Sequence, residues 1–296
     1  MTEKVSDLKI PDGEILRDKK ELLVYGKDEY TQEVSSGYLP SLVVKAKSVA
    51  DVQATTKFAN EHKIPLTVRG AGTSIVNSSA GIDNGIVLDL SGLNKILEVN
   101  IPNQYAIVQA GVLNGDLDAE VRKQGYFFAP DPGSKPISSI GGNIATNAGG
   151  MSSLKYGTTK QSVIGLDLVL ADGSLLSVGS KTFKDNVGYD ITDLIIGSEG
   201  TLAIVVSATV KLLPIPFGKS VTGLATFASM TDLSAAVQKI SASGLDPSML
   251  EALNDTSIEA LDNYEGVHLA KDGAKALLIF QLDAAPSGAL EALKKF

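Results

Sequence analysis

The sequence predicts an α+β fold built in two parts, and three observations lead there. From Ser41 onward, short apolar runs alternate with a helical pattern, giving strand, helix, strand. The middle of the chain is richer in strands and carries a hairpin signal at Ala171-Asp172-Gly173. After Pro214 and Pro216 the texture changes to a βα repetition that reads as a separate α+β domain, with the junction at about 214–218. A length of 296 residues also fits about two domains.

Taken in order, residues 1–40 read as short polar helices and a loop, 41–215 as the first domain and 216–296 as the second. Residues 41–46 form an apolar strand. Ser48 then stands as an N-cap with Asp51 three residues on, and Val49, Val52, Thr56 and Ala59 repeat at helical spacing, predicting a helix over 48–62. Residues 64–69 are the next strand, so the three elements make a βαβ unit. Strands follow at 85–90, 96–99 and 105–109, the last after the Pro102-Asn103 turn signal. Residues 114–124 read as a helix ended by Gly125. Strands 162–170 and 174–178 flank the hairpin turn, and 201–213 is a long β-branched strand closed by Pro214. In the second part, strands at 219–228, 247–252 and 274–283 alternate with helices at 231–243, 254–263 and 287–295.

Composition excludes several chemistries. The chain has no Cys, hence no disulfide framework, thiolate nucleophile, Cys-ligated zinc or Cys-held iron–sulfur cluster. Its only histidines, His62 and His268, are too far apart for a local metal motif, and no metal site is expected. With 26 Lys and Arg against 34 Asp and Glu, the net charge of −8 argues against binding nucleic acid, which needs clustered cations. The first residues lack an apolar signal-peptide core, and no stretch of about 18 uncharged apolar residues exists to span a membrane. A cytoplasmic protein without a transmembrane segment is the expectation.

Glycine is abundant at 29 residues, and it is clustered. Arg69-Gly-Ala-Gly-Thr-Ser74 follows a strand, where successive amides around glycine can form an anion-binding nest and Thr73 and Ser74 add hydroxyls. The dinucleotide fingerprint G-x-G-x-x-G fails here, because its third glycine would fall on Ile75 and residues 75–84 do not read as a helix. No Gly-Lys-Ser/Thr follows either, so a Walker A loop is absent; an ordinary strand-end turn remains open for this loop taken alone. The denser cluster, Gly133, Gly141, Gly142, Gly149, Gly150 and Gly157, is interleaved with Ile137, Ile140, Ile144 and Ala145, which favours a backbone-lined ligand cleft over a flexible linker.

The second cluster carries a resemblance. Pro132-Gly-Ser-Lys-Pro-Ile-Ser-Ser-Ile-Gly-Gly-Asn-Ile-Ala-Thr-Asn-Ala-Gly-Gly150, with Leu154-Lys-Tyr-Gly157 behind it, resembles the flavin-binding segment of the vanillyl-alcohol oxidase (PCMH) type FAD-binding family. Three further motifs resemble that family in the same order: Pro65-Leu-Thr-Val-Arg-Gly-Ala-Gly-Thr-Ser74, Asp185-Asn-Val-Gly-Tyr-Asp190 and Gly197-Ser-Glu-Gly-Thr-Leu-Ala-Ile204. Within the family the chain is most similar to the branch of D-lactate dehydrogenases and glycolate oxidase flavoprotein subunits. The likeness is strong over about 1–215 and looser beyond.

The resemblance implies a PCMH-type FAD-binding domain of two α+β subdomains with extended FAD between them, followed by a ferredoxin-like α+β substrate cap. The cap is expected to be partial, the chain being C-terminally truncated. By motif position, Arg69, Gly70, Ala71, Gly72, Thr73 and Ser74 would hold the pyrophosphate through backbone amides. Gly133, Ser134, Ser139, Ile140, Gly142 and Asn143 would line the diphosphate and the flavin, and Asn147, Ala148 and Gly149 the flavin side. Glu199, Gly200 and Ile204 would sit near the adenine and ribose, and Gly157 joins the cofactor-binding set. Some family members attach flavin through a His near the first loop or through a Cys. Ser74 follows Thr73 here and Cys is absent, so the FAD is expected to be non-covalent. One departure stands out: residues 75–80, Ile-Val-Asn-Ser-Ser-Ala, replace a stretch where close relatives carry a glycine pair.

The implied activity is oxidation of a D-2-hydroxy acid, lactate or glycolate, by hydride transfer to flavin, with an electron-acceptor protein or a quinone as onward partner. The alternative is an FAD-binding electron-transfer subunit or truncated remnant without turnover of its own. A peptidoglycan-precursor reductase of the same superfamily is a further reading, disfavoured by the last two motifs. No catalytic residue is assigned. His62 reads as a helix-end surface residue and His268 as a loop residue, while Arg122-Lys123 and Lys294-Lys295 read as helix-end charges. Tyr156 and Tyr189 lie in or beside flavin motifs, where packing is the commoner role.

Overall fold

The computed structural model describes residues 5–29, 33–266 and 273–283, so His268, Lys294, Lys295 and the helix expected at 287–295 lie outside the described residues. The chain divides into two compact units, Met1–Ala148 with Thr158–Pro214, and Gly149–Gly157 with Ile215–Phe296.

The first unit opens with β1 (Glu14–Leu16) and β2 (Leu42–Lys45), followed by helix α1 (Val49–His62), β3 (Leu66–Arg69) and β4 (Ile86–Asp89). These strands form a sheet in the order β1-β2-β4-β3. The expected βαβ unit is present, but its strands are not neighbours: β4 lies between them, parallel to both, with Leu42 and Leu66 each opposite Ile86. Parallel strands must be covered on both faces. One face sends Leu42, Val44, Ile86 and Leu88 into the main core with Val52 and Ala59 of α1. The other sends Val43 and Val87 into a smaller core closed by Leu16, Leu22, Tyr25 and Leu39. The first 40 residues are therefore a cover for this sheet and contribute β1, antiparallel to β2, rather than helices and loop alone. Three residues are too few for a period-two pattern to show in sequence.

The second sheet is antiparallel, with β5 (Ile96–Asn100), β6 (Tyr105–Gln109), β8 (Val163–Val169), β9 (Leu175–Gly179) and β10 (Ile204–Lys211) in the order β5-β6-β10-β8-β9. Two short strands, β7 (Tyr126–Phe127) and β11 (Leu213–Pro214), pair beside it. The β8–β9 hairpin turns at Gly173, whose φ is +83°, with Asp172 Oδ1 accepting from Ser174 N at 2.8 Å. Helices α2 (Asn114–Arg122) and α3 (Ile140–Thr146) bury Leu117, Val121, Ile140 and Ile144 in the core shared with the first sheet. Helix α3 was not legible as a helix, because two consecutive glycines each lower helix propensity by about 1 kcal/mol relative to Ala. Its Ser139 cap, accepting from Gly142 N at 3.2 Å, and its two buried isoleucines offset that.

The second unit has β12 (Val221–Phe227), β13 (Met249–Asn254) and β14 (Ala276–Leu282) in the antiparallel order β12-β14-β13. Helices α4 (Met230–Ala242) and α5 (Asp255–Glu265) start on Ser229 and Asn254, which accept from Asp232 N and Ser257 N. Leu233 and Ile240 of α4 pack on Ala276 and Leu278 of β14.

Two buried carboxylates tie the first unit together. Asp51, fully buried, closes a capping box with Ser48 and also accepts from Asp12 N at 2.9 Å and Lys47 N at 2.9 Å. Burial alone would raise its pKa, but these amides outweigh it and hold the carboxyl below its usual value. Asp118 of α2 is also held low. Burial raises it, while Arg122 Nε at 2.8 Å, Lys135 Nζ at 2.9 Å and Phe128 N at 3.0 Å lower it. A depressed folded pKa contributes stability that is complete above the unfolded value, about 3.9 for Asp. That stability disappears as pH falls through the folded value. Asp51→Asn is predicted to destabilise the chain by about 2–3 kcal/mol at pH 7, since it loses charge-assisted acceptors for buried amides. Between pH 5 and about 2, urea midpoints should fall less steeply for Asp51→Asn than for the parent.

Candidate functional site

One pocket of the first unit lies where the parallel strands end. Strand β3 stops at Arg69 and β4 at Asp89, and Val68, Gly70 and Leu90 form one wall. Ligands commonly bind beyond the carboxyl ends of parallel strands. Ala110, just past β6, Gly141 and Gly142 of α3, and Ile204 and Val205 at the start of β10 form the opposite wall. Ile195, Ser198, Glu199, Gly200 and Ala203 close one end. The empty space is about 1000 Å³ when the open solvent at its mouth is included.

Glycine makes this wall possible. A Cβ on Gly141 would lie 2.7 Å from Ala110 Cβ, and one on Gly70 would overlap Ser139 Oγ. The peptide groups meet closely at this point: Gly141 N donates to Ala110 O at 2.7 Å and Ile140 N to Val112 O at 2.8 Å. Gly142 N and Asn143 N both bond to Ser139. The amides of 140–143 are thus already engaged within the protein. The first loop differs. Among the described residues, the amides of Ala71, Gly72, Thr73 and Ser74 donate to no protein acceptor. Four unengaged amides on a tight turn form a local positive concavity suited to an anion.

Two polar side-chain atoms on the pocket residues are buried without a partner among the described residues, Asn143 Nδ2 and Ser79 Oγ. Unpaired buried polar atoms are rare and usually await a ligand or water. Together with the free amides and the glycine wall they fit a large ligand that brings both an anionic linker and polar ring edges. An FAD has both.

Of the residues singled out in the sequence, the pocket gathers Gly70, Ala71, Gly72, Thr73, Ser74, Ser134, Ser139, Gly142, Asn143, Ala148, Glu199, Gly200 and Ile204. Others sit elsewhere. The Arg69 side chain turns to Lys27 O and Ser79 O. Gly133 is exposed, and Ile140 is wholly buried in the core. Asn147 caps α3 at φ +48° and spends its side-chain oxygen on Thr158 and Lys160. Gly149 and Gly157 belong to the second unit. There Lys155 pairs with Asp283 at 2.7 Å and Asp246 at 3.3 Å, and the Tyr156 hydroxyl donates to Asp283. Burial first, then Asp283, raises the Tyr156 phenol far above its ordinary value, so it stays protonated. Tyr189 is almost fully exposed, and every other residue of 181–190 is exposed as well. His62 stacks against Phe58 at the end of α1, 4.4 Å between ring centres.

The sequence did not single out Val68, Ser78, Ser79, Leu90, Ala110, Ala145, Thr146, Ile195, Ser198, Ala203 and Val205 as pocket residues. Most are ordinary strand-end or turn residues with no local signature. At the 75–80 departure, Asn77 adopts φ +60°, a left-handed conformation Asn tolerates better than other side chains, so the loop turns without a glycine pair. No group of three or more potential metal ligands occurs among the described residues, and no described helix is long and apolar enough to cross a membrane.

Comparison with known proteins identifies the pocket's relatives. Residues 40–179 match the family described as FAD binding domain, and residues 218–295 match FAD linked oxidases, C-terminal domain. Glycolate oxidase subunit GlcD of Bacillus subtilis is 38% identical over 261 residues, 88% of this chain and 54% of that protein. A D-lactate dehydrogenase of Archaeoglobus fulgidus is 38% identical over 242 residues, 81% of this chain and 54% of that protein. The chain spans about half the length of these curated relatives. Among solved structures, alkyldihydroxyacetonephosphate synthase superposes with a TM-score of 0.81 at 21% identity, over 100% of this chain and 58% of that one. Substrate-bound p-cresol methylhydroxylase gives 0.76 at 19%, over 95% and 60%. At such identities these two likenesses establish the fold. The chain belongs to the FAD-linked oxidase family, with FAD as its cofactor.

Proposed function

We propose that the chain is the flavin-binding part of an oxidoreductase that oxidises a D-2-hydroxy acid, lactate or glycolate, and passes the electrons to an acceptor protein or a quinone. The names of its relatives support the substrate class. The observation that carries the cofactor half is the row of unengaged amides at 71–74 facing a glycine wall.

When bound, FAD supplies the two-electron acceptor for the hydride. The residues of this chain do the rest of the holding. The amides of Ala71 to Ser74, with the hydroxyls of Thr73 and Ser74, take the diphosphate oxygens. Gly70, Gly141 and Gly142 let the ligand reach the backbone. Asn143 Nδ2 donates to a polar edge, while Ala145, Ile195, Ile204 and Val205 exclude water. The non-covalent reading of the FAD is supported by the absence of Cys and by Ser74 following Thr73, where some family members carry a linking His.

The test is spectroscopic. The purified chain should show a flavin visible band, released intact by acid. Under anaerobic conditions D-lactate or glycolate should bleach it. A bound flavin that neither acid reduces would refute the hydroxy-acid reading, and NADPH serves as the contrasting reductant. A second prediction separates cofactor from scaffold. Asn143→Ala removes a buried donor that costs about 1–3 kcal/mol when unpaired. The apoprotein should be as stable as the parent or more so in thermal melts, while FAD affinity should fall roughly tenfold.

A further inference from the structure

We propose that Arg69 is a positioning residue: its buried guanidinium, backed by Tyr25 and Asp89, shapes the 70–79 loop that receives the diphosphate, without touching the cofactor itself. This rests on the FAD reading above and adds roles for Tyr25, Asp89 and the 25–29 segment.

By motif position the backbone of Arg69 opens the phosphate loop; its side chain has a different task. Arg69 is 9% exposed and is not among the pocket-lining residues. Nη1 donates to Lys27 O at 2.6 Å and to Ser79 O at 3.1 Å, so one nitrogen joins the N-terminal cover to the far end of the loop, ten residues on. Any Cβ on Gly72 would overlap the same guanidinium, which therefore packs directly beneath the turn carrying the free amides. The loop is drawn toward the 25–29 segment at two more points, Glu29 N to Ser74 O at 3.2 Å and Gly81 N to Tyr25 O at 2.7 Å.

The guanidinium is itself held. It stands 5.5 Å from the centre of the Tyr25 ring, and the Tyr25 hydroxyl donates to Asp89 Oδ2 at 2.8 Å. Asp89 is buried, and its other oxygen accepts from Ser91 N at 2.8 Å. A buried cation is expensive unless paired and hydrogen-bonded. Two carbonyls, an aromatic face and a nearby carboxylate meet that need here. Lysine has no planar fork with which to satisfy two carbonyls and stack on a ring at once. Packing alone would be served by a neutral residue. What the arginine adds is a fixed spacing between residues 27, 72 and 79, and that spacing decides whether the amides of 71–74 converge on one anion.

Titration of the full-length apoprotein with FAD, followed by flavin fluorescence, tests this. Arg69→Ala should weaken FAD binding by roughly 100-fold, the scale on which a small misplacement of binding groups acts. Millimolar guanidinium should restore most of the affinity, whereas sodium at equal ionic strength should not. Arg69→Lys should lose roughly tenfold, keeping charge without the fork. Parental affinity in Arg69→Ala, or a loss in the folded variant that guanidinium leaves unchanged, would overturn the proposal. If Arg69→Ala does not fold, Arg69→Lys decides, and parental affinity there overturns it equally. A parent chain that takes up no FAD is a different result: it sinks the cofactor reading, and the brace with it.

Discussion

The pocket depends on how closely α3 approaches the end of β6. Ala110 N bonds to Val206 O of β10 at 3.0 Å, and Ala110 O accepts from Gly141 N at 2.7 Å, so a single alanine joins the second sheet to the helix. Only a residue without Cβ at 141 permits that contact. The approach brings Ile140 and Ile144 onto the common core and leaves the other face of the helix bordering the pocket with Gly142 and Asn143. It also explains Gly141 in a helix of only seven residues: its propensity cost is accepted in exchange for contact distance.

The same contact divides the work of anion binding. With the amides of 140–143 already engaged, α3 is a wall and a side-chain donor rather than an amide cradle. The unengaged amides sit on the 71–74 turn opposite. The segment 130–139 that leads into α3 is fixed independently. Asn114 N bonds to Ser138 O, Gly115 N to Lys135 O, and Lys135 Nζ to Asp118. One wall is thus set by the rigid helix α2, and the other by the loop that the N-terminal cover clasps. The pocket surface is assembled from two separately anchored pieces of one unit.

Legibility followed locality. Helix α1 was readable because its signals lie within four residues of each other: Ser48, Asp51 and an apolar repeat. The β8–β9 hairpin was readable for the same reason at Asp172-Gly173. The insertion of β4 between β2 and β3 was not, since strand order is decided by which faces must be covered and leaves no mark at Ile86 or Leu88. The glycine motifs lie on two walls of the pocket, at 70–74 and 139–143. Arg69 and Asn147 stand inside the motifs but spend their side chains on the protein. Ser79, Leu90 and Ala110 border the pocket from positions where sequence carries no signal, because their role comes from where β3, β4 and β6 happen to end.

At 149–157 the chain passes from one unit to the other and back. It leaves the first unit after Ala148, spends nine residues in the second, and returns at Thr158. The base of this excursion is closed: Thr159 N and Oγ1 both donate to Ala148 O, at 3.0 and 2.8 Å, and Thr158 Oγ1 donates to Asn147 Oδ1 at 2.8 Å. At its tip, Lys155 and Tyr156 are anchored on Asp283 within the second unit. The residues lining the pocket all belong to the first unit. The tip answers instead to the sheet that carries Asp283. The Lys155–Asp283 pair fixes the tip of this excursion within the second unit.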